Sequence, residues 1–259
     1  MSASHPPVTL SECDGVRYLH LGSVWVQGAM RIRQPQVVEL VYVQRMLASL
    51  LWLPTEALGQ GRALQLGLGA GAITRFTQHA LGMPTTVVEL NPWVVEVGRR
   101  WFHLQTDDPR LTVVVADAGD WLRRQAEPGS VQLLHVDLYD QDAAAPVLDD
   151  EAFYEDCLRV LAPGGVMSVN LFGRDSSFEA SAARIARVFG ADHVWSVQPT
   201  REGNTAVIAA RDATLPAPEV LRARAEAIDA RWGKLGLQAR KWVKMLRPWA
   251  PSAPPTAAG

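Results

Sequence analysis

The sequence predicts an open, mainly parallel α/β sheet with helices on both faces, an antiparallel pair at its end and a small β-rich piece ahead of it. Three observations lead there. A short apolar run over residues 63–66 ends in Gly67-Leu-Gly-Ala-Gly71, and a helical pattern follows at once. The same unit of apolar run, turn and helix then recurs along the chain, and such alternation implies parallel pairing. Two last runs, residues 193–197 and 206–210, flank Arg201-Glu-Gly-Asn204 and read as a hairpin.

In chain order, residues 1–12 are rich in Ser and Pro and are expected to fray. From Gly15 to Arg33, β-favouring residues alternate with polar ones, and Gly22-Ser23 supplies a turn before Val24 and Val26. Residues 37–53 then place Val38, Val41, Tyr42, Met46, Leu47 and Leu50 on one apolar face, which predicts a helix ending before Pro54. An N-terminal β-hairpin and helix (1–58) therefore precede a nucleoside-binding domain (59–212). Within that domain, strands are expected at 63–66, 86–90, 111–116, 131–136 and 166–171. Asn91 can cap a helix with Pro92 at its first position. Shorter helical patterns cover 120–125, 150–161 and the stretch from Ser176 or Ser177 to Phe189. From Ala213 the composition turns basic. Residues 221–246 read as helix, packed on the domain with a solvated cationic face, and 248–259 as a disordered Pro/Ala tail (together the extension 213–259).

The length of 259 residues suits one sizeable domain with an appendage, or two small domains. A hydrophobic content of 48% against 20% charged residues is enough for a real core. The formal charge of -2 gives no reason to expect nucleic acid or an anionic membrane as partner. Cys13 and Cys157 make no disulfide framework, so a reducing, cytoplasmic setting is expected. The six histidines lack paired ligand spacing with cysteine, and no metal site is expected. No apolar run approaches membrane-spanning length, and the N-terminus carries no charged-then-apolar signal.

The glycine turn admits three readings. It is no P-loop, because no Lys-Ser or Lys-Thr pair follows the last glycine. Gly67, Gly69 and Ala72 fit a nicotinamide-type fingerprint, and a tight turn that binds nothing is the bland option. The acids decide between them. The first four strands end in the glycine stretch, Glu89, Asp117 and Asp137, and ligands in open parallel sheets sit beyond those ends. Glu89 is placed for ribose hydroxyls and Asp117 for an adenine amino group. Asp137 and Asp140, three apart at a strand end, can turn into one cavity and suit a cationic amine whose proton they accept.

With these residues in view, the chain over roughly 16–210 resembles the spermidine synthase (polyamine aminopropyltransferase) family. The likeness rests on Val26-Gln27, Tyr42 and Met46, the glycine stretch, Val88-Glu-Leu-Asn-Pro92 and Asp117-Ala118. It rests also on Asp137-Leu-Tyr-Asp140, Phe153-Tyr154, Leu161-Ala-Pro-Gly-Gly165 and Pro199-Thr200. The resemblance implies a Rossmann-like class I methyltransferase fold with a seven-stranded sheet. It implies aminopropyl transfer from decarboxylated S-adenosylmethionine, a co-substrate rather than a tightly bound cofactor, to a polyamine such as putrescine. Gly67, Gly69, Ala70, Gly71, Glu89, Asp117 and Ala118 would hold the donor and Asp137 the attacking amine, while Asp140, Gln27, Tyr42 and Arg201 would line the acceptor site. Two positions depart from the family pattern. Ala70 stands where the family carries an acid, and Arg201 where it carries a tyrosine. Both favour a carboxylate-bearing ligand and so an alternative, methyl transfer from ordinary S-adenosylmethionine to a small molecule. A homodimer contact, if formed, is expected at the β-rich N-terminal piece.

Overall fold

The computed structural model describes residues 5–105, 109–138, 148, 150–172 and 176–250. The proposed tail beyond residue 250, and residues 1–4 of the segment expected to fray, lie outside them.

The N-terminal piece is a three-stranded antiparallel sheet of β1 (Val8–Cys13), β2 (Val16–Leu21) and β3 (Gly28–Arg31). The expectation of fraying is thus corrected over residues 8–12: the β1 main chain pairs with β2, from Val8 opposite Leu21 to Cys13 opposite Val16. Main-chain pairing holds this strand although most of its side chains stay exposed or half-buried. The second arm of the expected hairpin is also corrected. Pairing resumes only at Gly28, and Val24, Trp25 and Val26 stay exposed in the intervening loop. His20 ties that loop down through Nδ1 to the Trp25 carbonyl at 3.1 Å.

The helix expected over 37–53 is shorter. Only α1 (Val41–Met46) is α-helical, and a buried 3₁₀ segment (Leu47–Trp52) continues it. At its expected start, the Val38 N–H donates instead to the Leu235 carbonyl at 2.8 Å, a partner almost two hundred residues away that no local periodicity reveals.

The main sheet is built on the parallel strands β4 (Ala63–Leu66), β5 (Thr85–Glu89), β6 (Leu111–Val115), β7 (Val131–Val136) and β8 (Leu161–Phe172), in the spatial order β6-β5-β4-β7-β8. β10 (Asn204–Ala210) joins β8 antiparallel, and β9 (Val194–Val197) follows as the hairpin arm. An eighth strand, β11 (Leu246–Pro248), pairs with β9 where seven strands were expected. It has three residues and ends in a proline, which the edge of a sheet tolerates and a sequence pattern does not announce.

Helices cover both faces of this sheet: α2 (Ala72–Arg75), extended by a π turn (Phe76–Ala80), α3 (Pro92–Trp101), α4 (Ala118–Arg124), α5 (Glu151–Val160) and α6 (Ser176–Phe189). Asn91 caps α3 by accepting the Trp93 N–H at 3.0 Å, with Pro92 at the first helical position. The basic segment is two helices, α7 (Pro218–Trp232) and α8 (Ala239–Met245), rather than one. Leu221, Ala225, Ile228, Trp232 and Trp242 of this segment enter a core that also holds Met46, Leu50 and Leu51 of the N-terminal piece and Phe76, Trp195 and Ile208 of the sheet domain. Phe76 meets Trp232 edge-on at 5.7 Å, and Trp52 lies 4.8 Å from Trp195. Each such burial is worth about 1.5–3 kcal/mol, so the C-terminal helices are an integral layer. Part of their positive charge is taken up locally. Arg224 donates to the Leu51 and Trp52 carbonyls, both at 2.9 Å, and Arg240 pairs with Asp229 at 2.9 Å.

Candidate active site

Connectivity in the sheet reverses between β4 and β7, which are neighbours although two strands separate them in sequence. A crevice opens beyond the carboxyl ends of the strands at such a point. Gly67 follows β4 and Asp137 follows β7, and the Asp137 N–H donates to the Leu66 carbonyl at 2.9 Å. This proximity explains the glycine. With φ at +84°, a Cβ on Gly67 would stand 2.1 Å from the Asp137 carbonyl oxygen. The N-terminal sheet closes over the turn just as tightly, since a Cβ on Gly28 would stand 2.5 Å from both the nitrogen and the Cβ of Ala70. From beneath, Arg75 donates to the carbonyls of Ala70 (2.6 Å), Phe102 (2.7 Å) and Pro35 (3.0 Å). Burial lowers its pKa to about 10, so the guanidinium remains a cation clamping the loop at neutral pH.

On one side of the crevice, main-chain groups hold the acids. Glu89 accepts the Leu68 N–H on Oε2 and the Asn91 N–H on Oε1, each at 2.8 Å. Burial raises its pKa, and these N–H groups pull it back. Asp117 caps α4 by accepting the Asp120 N–H at 2.9 Å and is exposed. Ala118 is buried at the start of the same helix.

On the other side, side chains hold the acid. Asn170 on β8 donates from Nδ2 to Asp137 Oδ1 at 2.8 Å, and the Tyr42 hydroxyl of α1 donates to Oδ2 at 3.2 Å. Asn204 on β10 donates in turn from Nδ2 to the Asn170 side-chain oxygen Oδ1 at 3.2 Å. Burial raises the pKa of Asp137, and the Asn170 and Tyr42 hydrogen bonds oppose that rise. Asp137 opens on a cavity of about 420 Å³. Gln27, Tyr42, Asn170 and Asn204 share its wall, with Glu39 and Glu202 as further carboxylates and Trp25, Val41 and Phe172 as apolar surface. Trp25 and Phe172 meet edge-on at 6.3 Å. Its own backbone N–H and the Thr200 hydroxyl hold the Glu202 carboxylate below its ordinary range.

The structure therefore brings Gln27, Tyr42 and Asp137 onto one cavity, and sets Gly67, Gly69, Ala70, Gly71, Glu89, Asp117 and Ala118 along the strand ends beside it. Arg201 stands exposed in the β9–β10 turn, where its neighbours Glu202 and Asn204 reach the cavity wall. Asp140 lies outside the described residues. Sequence reasoning missed Asn170, Asn204, Glu39 and Glu202. Only Asn170 left a signal: it is a fully polar amide in the apolar run 166–171, at a place where a buried strand wants none.

A glycine turn at the switch point, an acid ending β5 and another following β7 define a Rossmann-like fold of the class I methyltransferase type. Comparison with known proteins narrows the class. Residues 53–210 match the spermine/spermidine synthase domain. A polyamine aminopropyltransferase of Chromobacterium violaceum is 33% identical over 244 residues, 93% of this chain and 90% of that protein. This chain belongs to the spermine/spermidine synthase family. Among solved structures, a probable spermidine synthase from Corynebacterium glutamicum superposes with a TM-score of 0.69 at 19% identity, covering 97% of this chain and 95% of the other. Human methyltransferase-like protein 13 in complex with SAH superposes at 0.64 and 22% identity, covering 82% and 97%. Both show the shared fold.

Proposed function

We propose that the chain transfers an aminopropyl group from decarboxylated S-adenosylmethionine to a polyamine acceptor such as putrescine. The observation that carries this reading is Asp137: a half-buried carboxylate at the switch point, held by two side-chain donors and opening on a cavity with further anionic and apolar walls. A diamine offers what that cavity complements, namely cationic ends joined by methylenes. Its far ammonium would sit against Glu39 or Glu202, its methylenes against Trp25, Val41 and Phe172, and its near nitrogen against Asp137. Gln27, Tyr42 and Asp140 would complete the acceptor site. Glu89 would accept from the ribose hydroxyls, Asp117 and Ala118 would meet the adenine, and the turn from Gly67 to Gly71 would pass beneath the donor.

The reaction is an in-line displacement. The lone pair of the neutral near amine forms a bond to the propyl carbon. The carbon–sulfur bond breaks, its electron pair leaves with sulfur, and the sulfonium becomes a neutral thioether. The nitrogen gains positive charge as the bond forms, and an anionic Asp137 stabilises it and takes its proton. Positioning of nitrogen, carbon and sulfur supplies much of the rate. The test is to mix the chain with decarboxylated donor and putrescine and look for spermidine by mass spectrometry. A folded chain that makes none refutes the reading.

One observation favours a second reading. Ala70 offers no acid to a donor amine, which favours the carboxylate-bearing ordinary S-adenosylmethionine and methyl transfer. Thermal shifts with the two donors separate the readings. A donor held at 100 times its dissociation constant stabilises the chain by about 2.7 kcal/mol, and the wrong donor gives much less.

A further inference from the structure

The β8–β10 ladder sets out the cavity wall from Asp137 outward. Asn170 stands beside Asp137 and donates to it, and Phe172 follows on the same face of β8. Asn204 pairs opposite Phe172, and Glu202 lies two residues before it in the β9–β10 turn. Two residues along a strand cover about 6.6 Å. Phe172 and Asn204 therefore stand one such step outward from the Asp137 level, and Glu202 stands past them, with all four on one cavity. A methylene chain whose near end meets Asp137 runs along Phe172 and Trp25, which meet edge-on, toward Glu202.

Two carboxylates besides Asp137 reach that wall, and they differ in what holds them. Glu39 is paired with the Arg31 guanidinium, Nε to Oε2 at 2.5 Å, so a full cation already matches its charge. Glu202 is held chiefly by neutral donors, its own N–H and the Thr200 hydroxyl, with smaller contributions from Arg201 and Arg45. Thr200 is buried and anchored in the turn. Its carbonyl accepts the Gly203 N–H and its hydroxyl oxygen the Asn204 N–H, both at 3.2 Å. A neutral hydrogen-bond donor leaves the net charge of an anion in place, whereas an ion pair cancels it at a distance. The turn thus holds an ionised carboxylate at the outer end of the cavity.

We propose that Glu202, and not Glu39, selects an acceptor with a second cationic nitrogen by pairing with that nitrogen at the outer end of the cavity. The assignment rests on the aminopropyl-transfer reading, in which Asp137 takes the reacting nitrogen of a diamine. The contact moves no proton and breaks no bond. Glu202 is exposed, so the pair is screened by salt and its effect is modest.

The test measures the preference for putrescine over butylamine, an amine with the same carbon chain and no second cation. Dissociation constants for both come from calorimetry on the folded chain, and kcat/KM for both is measured in parallel. In Glu202→Gln the preference should fall by about fivefold, the upper end for an exposed ion pair. Arg31→Gln combined with Glu39→Gln removes both partners of the other pair without changing the net charge. There the preference should stay within about twofold of the parent's, because that pair presents little net charge to the cavity. Salt raised to about 0.5 M should erode the preference of the parent chain and not what is left in Glu202→Gln. A Glu202 that only holds the turn would weaken both amines alike and leave their ratio unmoved. That result overturns the assignment, as do a preference lost in the double variant and a parent chain without one. Since calorimetry needs no turnover, a chain that makes no spermidine but shows the Glu202-dependent preference refutes the reaction and not the anchor.

Discussion

On the β5–β6 side of the switch point, strand-end acids are held by main-chain N–H groups within a few residues or one neighbouring strand. Glu89 is fixed by Leu68 and Asn91, and Asp117 by the helix it caps. On the β7–β8 side, Asp137 is fixed by Tyr42 and Asn170, 95 and 33 residues away, and Asn170 by Asn204, 34 residues further. The first arrangement is rigid because the backbone makes it, and it suits a group that must hold a nucleoside in one place. The second leaves a half-buried carboxylate that faces a cavity and whose partners include a hydroxyl and an amide. The second kind suits a group that gains and loses a proton, since a hydroxyl can accept as well as donate whereas a backbone N–H only donates.

The sharpest way to break this contrast is Asp137→Asn. Activity should fall by about 10²–10⁴-fold, as for loss of a positioned base. Stability should not fall with it. Burial raises the Asp137 pKa, so from the ordinary value of 3.8 up to its native value the folded chain binds the extra proton. In that window the parent chain therefore loses stability as pH rises, and above it the cost is constant. Asp137→Asn should lack this decline, and melting both chains from acid to neutral pH reads it directly. A variant that is inactive and also destabilised at neutral pH would make Asp137 a structural group like those across the crevice.

Glu89→Gln should behave in the opposite sense. Its amide can accept one of the two N–H bonds but opposes the other, at a cost of about 1–3 kcal/mol in the fold. Donor KM should rise by about tenfold or more while kcat at saturating donor changes little. The measurement is a denaturant melt beside donor titrations, and unchanged stability would mean the main-chain contacts contribute nothing.

The smallest effect belongs to Asp117→Ala. Loss of the α4 cap should cost about 1 kcal/mol. One hydrogen bond to adenine, of about 1 kcal/mol, should appear as a roughly fivefold rise in donor KM. A melt that shifts with no change in KM would leave Asp117 a cap alone.

Much of the β5–β6 side could be read from the chain itself. The turn after β4, the acid ending β5, the Asn91 cap with Pro92 and the order of strands and helices all follow from short patterns: glycine, cap residues and apolar runs act over a few residues. The same rules fell short at β1, the 37–40 stretch and β11. Their partners are β2, Leu235 and β9, and nothing in the neighbouring residues names them.

By itself the sequence determined that a glycine turn and a series of acids lie along one edge of a mainly parallel sheet, because strand period and turn chemistry are local properties. Only the tertiary structure decided which of those acids is bound by backbone and which by side chains. It also showed that Asn170 and Asn204 stand behind Asp137, that Glu202 lines the cavity, and that the C-terminal helices close the core. Those outcomes depend on strand order and register, which bring residues far apart in the chain within hydrogen-bond reach.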